Sequence, residues 1–271
     1  MTDVWSQFEV YGKALADWTM EEGITPRSAA LCRDISEALL KPETFHMVAD
    51  LRNVSKIQNY RSRFAEKWSE LYCCMEADVA EELKRNCQTY EEFRAYADSH
   101  WFLSEYNKLI GSEIALFEQN GFDMNGLKIC MIGPGALPFT GLAMVNAGAE
   151  VTLVDMYRPA CEWSRMWLNR FFPDRVWNVV EAAGESFDYS EFDLVFVAGM
   201  LFNRAAVLEA IKATQPKNVL LRTTFGRRPL SLLKYQVPEE ELVQLGNVEF
   251  AGESAPPLSV GCVALLYRYA S

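Results

Sequence analysis

The run KICMIGPGALPFTGLAMVNAGAEVTLVD, Lys128 to Asp155, constrains the fold of this chain more than any other segment. Lys128 to Ile132 is a short apolar run, too brief for a helix and stopped by Gly133, as a buried parallel strand requires. Gly133 and Gly135 let the backbone turn sharply and leave room for a ligand to come close. Thr140 to Ala147 then reads as a helix and Val151 to Val154 as a second strand, with Asp155 at its carboxyl end. An acid about 20 residues beyond such glycines stands where it can bind the two hydroxyls of a ribose. The loop is G-P-G-A-L-P, with Pro138 in the place of the third glycine of a dinucleotide fingerprint. That glycine brings a helix close to a pyrophosphate. Its absence favours an adenosyl ligand without one, S-adenosylmethionine over NAD, while a tight turn in an otherwise silent α/β domain stays open.

The character of the 271 residues changes near residue 125. Up to about Gln119 apolar side chains recur at helical spacing, as in Phe8, Tyr11, Leu15, Trp18 and in Leu31, Ile35, Leu39. Thr25-Pro26 is expected to open a helix, Lys41-Pro42 to end it, and Asn120-Gly121 to close the last one. From Leu127 onward short apolar runs (Trp177 to Ala182, Asp193 to Val197, Asn218 to Leu221) alternate with the helices Arg158 to Phe171 and Asn203 to Thr214. Val248 to Ala251 and Gly261 to Tyr269 close the chain as strands. The expectation is a Rossmann-like, doubly wound, mostly parallel α/β sheet of the class I S-adenosylmethionine-dependent type (residues 122–271). It follows an N-terminal helical bundle (residues 1–121).

In such a sheet the ligand sits beyond the carboxyl ends of the strands. The loops in question are Gly133 to Pro138, Asp155, Gly184 to Phe187, Ala198 to Leu201 and Arg222 to Arg228. Candidate donor-binding residues in these loops are Gly133, Pro134, Gly135, Leu137, Pro138, Asp155, Glu185, Ser186 and Ala198, with Thr140 at the start of the helix that follows the turn. Glu185 and Ser186 are placed to meet the amine of an adenine. Arg222 or Arg227 could clamp a substrate carboxylate in a bidentate fork. Asp188 and Asp193 read as caps or surface charges.

Other classes fit less well. Lys and Arg number 26 against 37 Asp and Glu, a net charge of −11, and no basic stripe appears, so a nucleic-acid partner is not expected. Seven cysteines lie scattered without C-x-x-C spacing and only two histidines exist, which points to reduced thiols and no metal. The N-terminus carries acids where a secretory segment needs a positive start, and no window is long enough to span a bilayer, so a cytoplasmic protein is expected. Trp5, Trp18, Trp68 and Trp101 supply either a core or the interface of a homodimer.

Ile132 to Thr140, I-G-P-G-A-L-P-F-T, resembles the I-G-S-G-P-L-P-x-T loop of plant and archaeal nicotianamine synthases, with Leu137, Pro138 and Thr140 the discriminating positions. Arg222-x-x-Phe225-Gly226, followed by Leu233, Tyr235 and Pro238, is similar to the bacterial relatives that make opine metallophores of the staphylopine and pseudopaline type. Tyr106, Leu109 and Glu113 resemble the family's N-Y-x-x-L-x-x-x-E stretch, and Glu76-Ala77-Asp78 its E-A-E stretch. The chain departs at Phe102, Leu103 and Glu105, where the plant proteins carry a tyrosine pair and an asparagine.

The resemblance implies a helical domain joined to a domain binding S-adenosylmethionine as co-substrate. It further implies transfer of the 3-amino-3-carboxypropyl (2-aminobutanoate) group to the α-amine of an amino acid, with histidine the favoured acceptor. Methylthioadenosine would leave, and the product would pass to an opine dehydrogenase. Glu76 or Glu81 would hold the amine and accept its proton, with Tyr106 as a hydrogen-bonding relay. A small-molecule methyltransferase shares every feature of the donor loop and remains the alternative. A non-catalytic nucleotide-binding module is a third reading.

Overall fold

A computed structural model describes residues 4–39, 41–201, 203–224, 242, 244–254 and 262–269. Among the described residues six α-helices precede the first strand: α1 (Val4–Asp17), α2 (Pro26–Leu39), α3 (Pro42–Ala49), α4 (Val54–Asn86), α5 (Tyr90–Ser99) and α6 (Ser104–Gln119). Thr25 and Ser28 open α2 reciprocally, each backbone N–H bonding the other's hydroxyl at 3.2 and 2.8 Å. Pro42 starts α3 as its first residue instead of merely ending α2, because a proline fits the first helical position, where no N–H is needed. α4 runs 33 residues and buries Ile57, Tyr60, Phe64, Trp68, Leu71, Met75, Val79 and Leu83 along one stripe of three- and four-residue steps. The four tryptophans noted above serve the core: Trp18 and Trp68 are buried, Trp5 and Trp101 pack against it. No helix among the described residues is long and apolar enough to cross a membrane.

The second half alternates β1 (Lys128–Ile132), α7 (Phe139–Asn146), β2 (Glu150–Asp155), α8 (Arg158–Phe171), β3 (Trp177–Glu181), β4 (Leu194–Val197), α9 (Arg204–Thr214), β5 (Asn218–Thr224), β6 (Val248–Glu253) and β7 (Cys262–Tyr269). The sheet order is β3-β2-β1-β4-β5-β7-β6. β1 to β5 pair in parallel, while β7 inserts antiparallel between β5 and β6. This is the expected Rossmann-like sheet, and its order reverses between β1 and β4, where a ligand crevice opens.

Alternation along the strands sorts their side chains to two faces. Ile129, Met131, Leu194, Phe196 and Leu220 join one core with the helical half. Cys130, Ile132, Val195, Val197 and Leu221 join another under α9. The first core passes without a break from Phe8 of α1 to Leu266 of β7, so the sheet and the preceding helices bury their apolar surface against each other. The change from helices to alternating elements falls between Gln119 and Lys128.

α1 lies close enough to α4 that a Cβ on Gly12 would come within 2.5 Å of the buried Phe64 ring. We expect Gly12→Ala to destabilise the protein by about 1–3 kcal/mol through overpacking, read as a lower denaturation midpoint.

Candidate active site

The crevice beyond the carboxyl ends of β1, β2 and β4 has a volume of about 770 Å³ and runs on into the helical half. Its size falls within the range of about 300–1,000 Å³ typical of small-molecule sites. The glycine turn forms its floor. Gly133 (φ +71°) and Gly135 (φ +69°) both adopt the left-handed conformation that other residues rarely enter. A Cβ on Gly133 would collide with Leu201, and one on Gly135 would lie 2.6 Å from Glu76 Oε2. The turn is pinned from below by Gly133 N–H to the Val154 carbonyl (2.9 Å) and by the Trp167 indole N–H to the Ala136 carbonyl (3.2 Å).

Asp155 stands at the end of β2, as expected, and lines the crevice. Its carboxylate accepts from Tyr157 N at 2.9 Å and from Gly135 N at 3.3 Å, so the acid and the turn hold each other. Burial raises its pKa, against the pull of backbone hydrogen bonds from Tyr157, Gly135 and Met156.

Glu76 reaches the same glycine from the opposite side. It lies on the flank of the α4 stripe beside Met75, with Tyr72, Cys73 and Ala77 also lining the crevice. By area the side chain is half-buried, and what it meets is the crevice. Burial pushes its carboxyl up to about 8; the Tyr106 hydrogen bond lowers it, the neighbouring Asp155 charge raises it and Arg222 lowers it. The Tyr106 hydroxyl, from α6, donates to Glu76 Oε1 at 3.4 Å, and its ring stacks on Phe139. Two residues named by resemblance, on helices 30 positions apart, thus meet over the turn.

The other expected positions divide. Gly133, Pro134, Gly135, Leu137, Thr140, Glu185 and Ala198 line the crevice. Pro138 does not; it caps the start of α7. Ser186 is exposed outside the crevice, one step round a tight 3₁₀ turn from Glu185. Glu81 is exposed and pairs with Lys84 at 3.7 Å, because five residues along a helix turn the side chain about 140° from Glu76. It does not line the crevice. Arg227 and the Phe225 to Pro238 motif lie outside the described residues. Asp193 binds Lys217 at 2.6 Å and Lys128 N at 3.0 Å, at the amino ends of the central strands, away from the crevice.

Arg222 requires a different role from the one expected. Alternation along β5 sends it to the same face as Leu220, towards the helical half. There Nε and Nη2 bind Glu113 of α6 at 2.7 and 2.8 Å, and Nη2 also donates to Thr140. Both partners are buried, Glu113 completely. The bidentate fork that a substrate carboxylate would need is filled by the protein's own glutamate. Burial raises the Glu113 carboxyl and the guanidinium opposes that rise. Glu113 was visible in the sequence as an acid between Leu109 and Leu116 on an apolar helical stripe, a position that calls for a buried partner. Met156, Tyr157 and Trp163, also at the crevice, carried no such signal, and Leu201 lies in the loop expected after β4.

No family model matches the chain, and no curated protein does. Solved structures do. A crystal structure of MtNAS, a nicotianamine synthase, in complex with MTA and tNA superposes with a TM-score of 0.72 over 98% of both chains, at 20% identity. The whole-chain fold is that of a nicotianamine synthase. A variant of MtNAS with one glutamate changed to glutamine, in complex with S-adenosylmethionine, gives 0.71 over 98% of both chains at 18% identity. The magnesium protoporphyrin IX methyltransferase of Synechocystis PCC 6803 with bound SAH gives 0.51 at 13% identity, covering 62% of this chain and 84% of that one. The nicotianamine synthase fold therefore includes the helical half that supplies Glu76 and Tyr106, whereas the methyltransferase likeness extends over a smaller share of the chain.

Removing one member of the buried pair leaves an uncompensated charge. Arg222→Met or Glu113→Gln should each cost about 3–5 kcal/mol of stability, and the double change less than their sum. Denaturant titration of the three variants measures that coupling.

Proposed function

We propose that this protein is an enzyme of nicotianamine synthase type. It would transfer the 3-amino-3-carboxypropyl group of S-adenosylmethionine to the α-amine of an amino acid and release methylthioadenosine. The observation that carries the reading is Glu76: a carboxyl group supplied by the helical half, seated against Gly135 of the donor loop and bonded to Tyr106. A methyl transfer needs only the nucleotide crevice. A carboxyl poised at the same glycine from a second set of helices provides what an incoming amine requires.

The chemistry follows from that placement. The adenosyl group would lie along Gly133 to Leu137, its ribose hydroxyls on Asp155 and its adenine towards Glu185 and Ala198. The sulfonium would then stand near Gly135, with its amino-acid tail directed at the helical half. The acceptor arrives as an ammonium, mostly protonated near neutral pH, and must lose a proton before it can attack. Glu76 holds it and takes that proton, while Tyr106 fixes the carboxyl's orientation. The amine lone pair forms a bond to the γ-carbon of the tail, the γ-carbon–sulfur bond breaks, and its electron pair stays on sulfur as the neutral thioether. Arg222 acts here as a positioning residue, locking β5 to α6 so that Tyr106 and the donor loop keep their spacing.

Histidine is the acceptor that the family resemblance favours, and a metallophore precursor passed to an opine dehydrogenase in the cytoplasm is the setting it suggests. The methyltransferases that share part of the fold keep methyl transfer as the competing outcome.

Incubation with S-adenosylmethionine and a mixture of amino acids that includes histidine separates the two by mass. Methylthioadenosine together with an acceptor enlarged by one aminobutanoate group supports the proposal; adenosylhomocysteine overturns it. Glu76→Gln should lower kcat by about 10²-fold or more while S-adenosylmethionine still binds. Asp155→Ala should weaken donor binding by about tenfold or more, as the loss of hydrogen bonds to a charged group implies, and unchanged affinity by calorimetry would remove the ribose role.

A further inference from the structure

The charges around the crevice are one-sided. Among the described residues that line it stand Glu37, Glu70, Glu76, Asp155 and Glu185, against Arg222 as the one lysine or arginine. Arg222 is itself matched by the buried Glu113, and Glu70 is paired with Lys67 at 2.9 Å, while Glu37 is exposed. The negative charge not yet matched therefore rests on Glu76, Asp155 and Glu185, of which the first two meet at the glycine turn. These two carboxyls meet at one residue: Asp155 Oδ2 accepts from Gly135 N, and Glu76 Oε2 covers the face of Gly135 where a side chain would stand. A ligand atom resting on Gly135 lies between two acids that repel each other when both are ionised. With no cation present the cheaper state holds a proton on one of them, and Glu76, pushed up to about 8 chiefly by burial, is the one that carries it.

S-adenosylmethionine and its thioether products differ at that spot by one positive charge. We propose that Glu76 is the element by which this crevice tells the charged donor from the spent nucleoside: the arriving sulfonium displaces a proton from Glu76, and a neutral thioether does not. The inference rests on the donor assignment made above and extends it to selectivity. In the catalytic cycle Glu76 would become a carboxylate when the donor binds, and so be ready to take the proton of the incoming amine. Once the sulfonium charge has vanished Glu76 is neutral again, and the attraction that held the nucleoside is gone. The remaining groups facing Glu76 are Tyr106 of α6, Asp155 of β2 and Arg222 of β5. Of these Asp155 opposes the carboxylate, while Tyr106 and Arg222 favour it; none changes charge when thioether replaces sulfonium.

Calorimetry on the intact protein tests this with two probes, S-adenosylmethionine and S-adenosylhomocysteine. Both carry the adenosine and the titratable amino-acid tail, and only the first carries the sulfonium. Measured near neutral pH in two buffers of different ionisation enthalpy, the donor should release more protons than the homocysteine analogue, with a difference approaching about one. The ratio of their affinities should rise with pH by up to about tenfold per unit below pH 8 and level off above it. Glu76→Gln should flatten that rise and abolish the proton difference while still binding both nucleosides. Equal proton release for the two ligands, or an affinity ratio independent of pH in the unmodified protein, overturns the inference and leaves the donor assignment standing. Failure to bind either nucleoside overturns both.

Discussion

The ion pair between Glu113 and Arg222 is the constraint on which the arrangement of this molecule depends. Neither charge can be left alone in the place it occupies, since an unpaired buried ion costs several kcal/mol. Glu113 is on the last helix of the N-terminal half and Arg222 on the fifth strand, so α6 is fixed over one face of the sheet. Thr140, at the head of the helix that follows the glycine turn, shares the guanidinium and brings the donor loop into the same assembly. Tyr106 is seven residues, about two helical turns, before Glu113, and its ring lies within 6.0 Å of the same guanidinium. One buried pair thus aligns three elements that come together nowhere in the sequence.

The crevice shows what such alignment permits. A nucleotide fold on its own provides a floor of glycines and an acid at a strand end. Here a second acid arrives from α4, and the helix that carries it belongs to the core that also covers the sheet. In the reaction proposed above, orientation of the donor and activation of the acceptor fall to different halves of the chain that share one core.

Much of this was legible in the amino-acid sequence. The strand, turn, helix and strand from Lys128 to Asp155 follow from apolar runs and glycine placement, and the ends of α8 fall where periodicity put them. Glu76 and Tyr106 could be named only by resemblance, since an acid on a long helix and a tyrosine near apolar neighbours look the same as surface charge and packing. Glu81 stood as the alternative to Glu76 in the sequence, and the helix turns it outward. Arg222 misled because a strand's two faces are equivalent in a run buried on both, and only the tertiary fold shows that its face meets Glu113. The insertion of β7 between β5 and β6 lay beyond reading, because strand order is decided by long-range pairing and leaves no mark on local composition.

α4 has one more property with a consequence for the acid it carries. Its C-terminal carbonyls are capped from a distance: the Arg170 guanidinium of α8 binds the Lys84 carbonyl at 2.9 Å and that of Cys87 at 2.8 Å. The helix is therefore held at the end nearer Glu76 by these bonds as well as by its buried stripe. A one-residue slippage at Lys84 would swing the carboxyl by about 100°, out of reach of Gly135. A half-buried arginine two to three turns along the helix, which does not line the crevice, thus helps hold the aim of the acid.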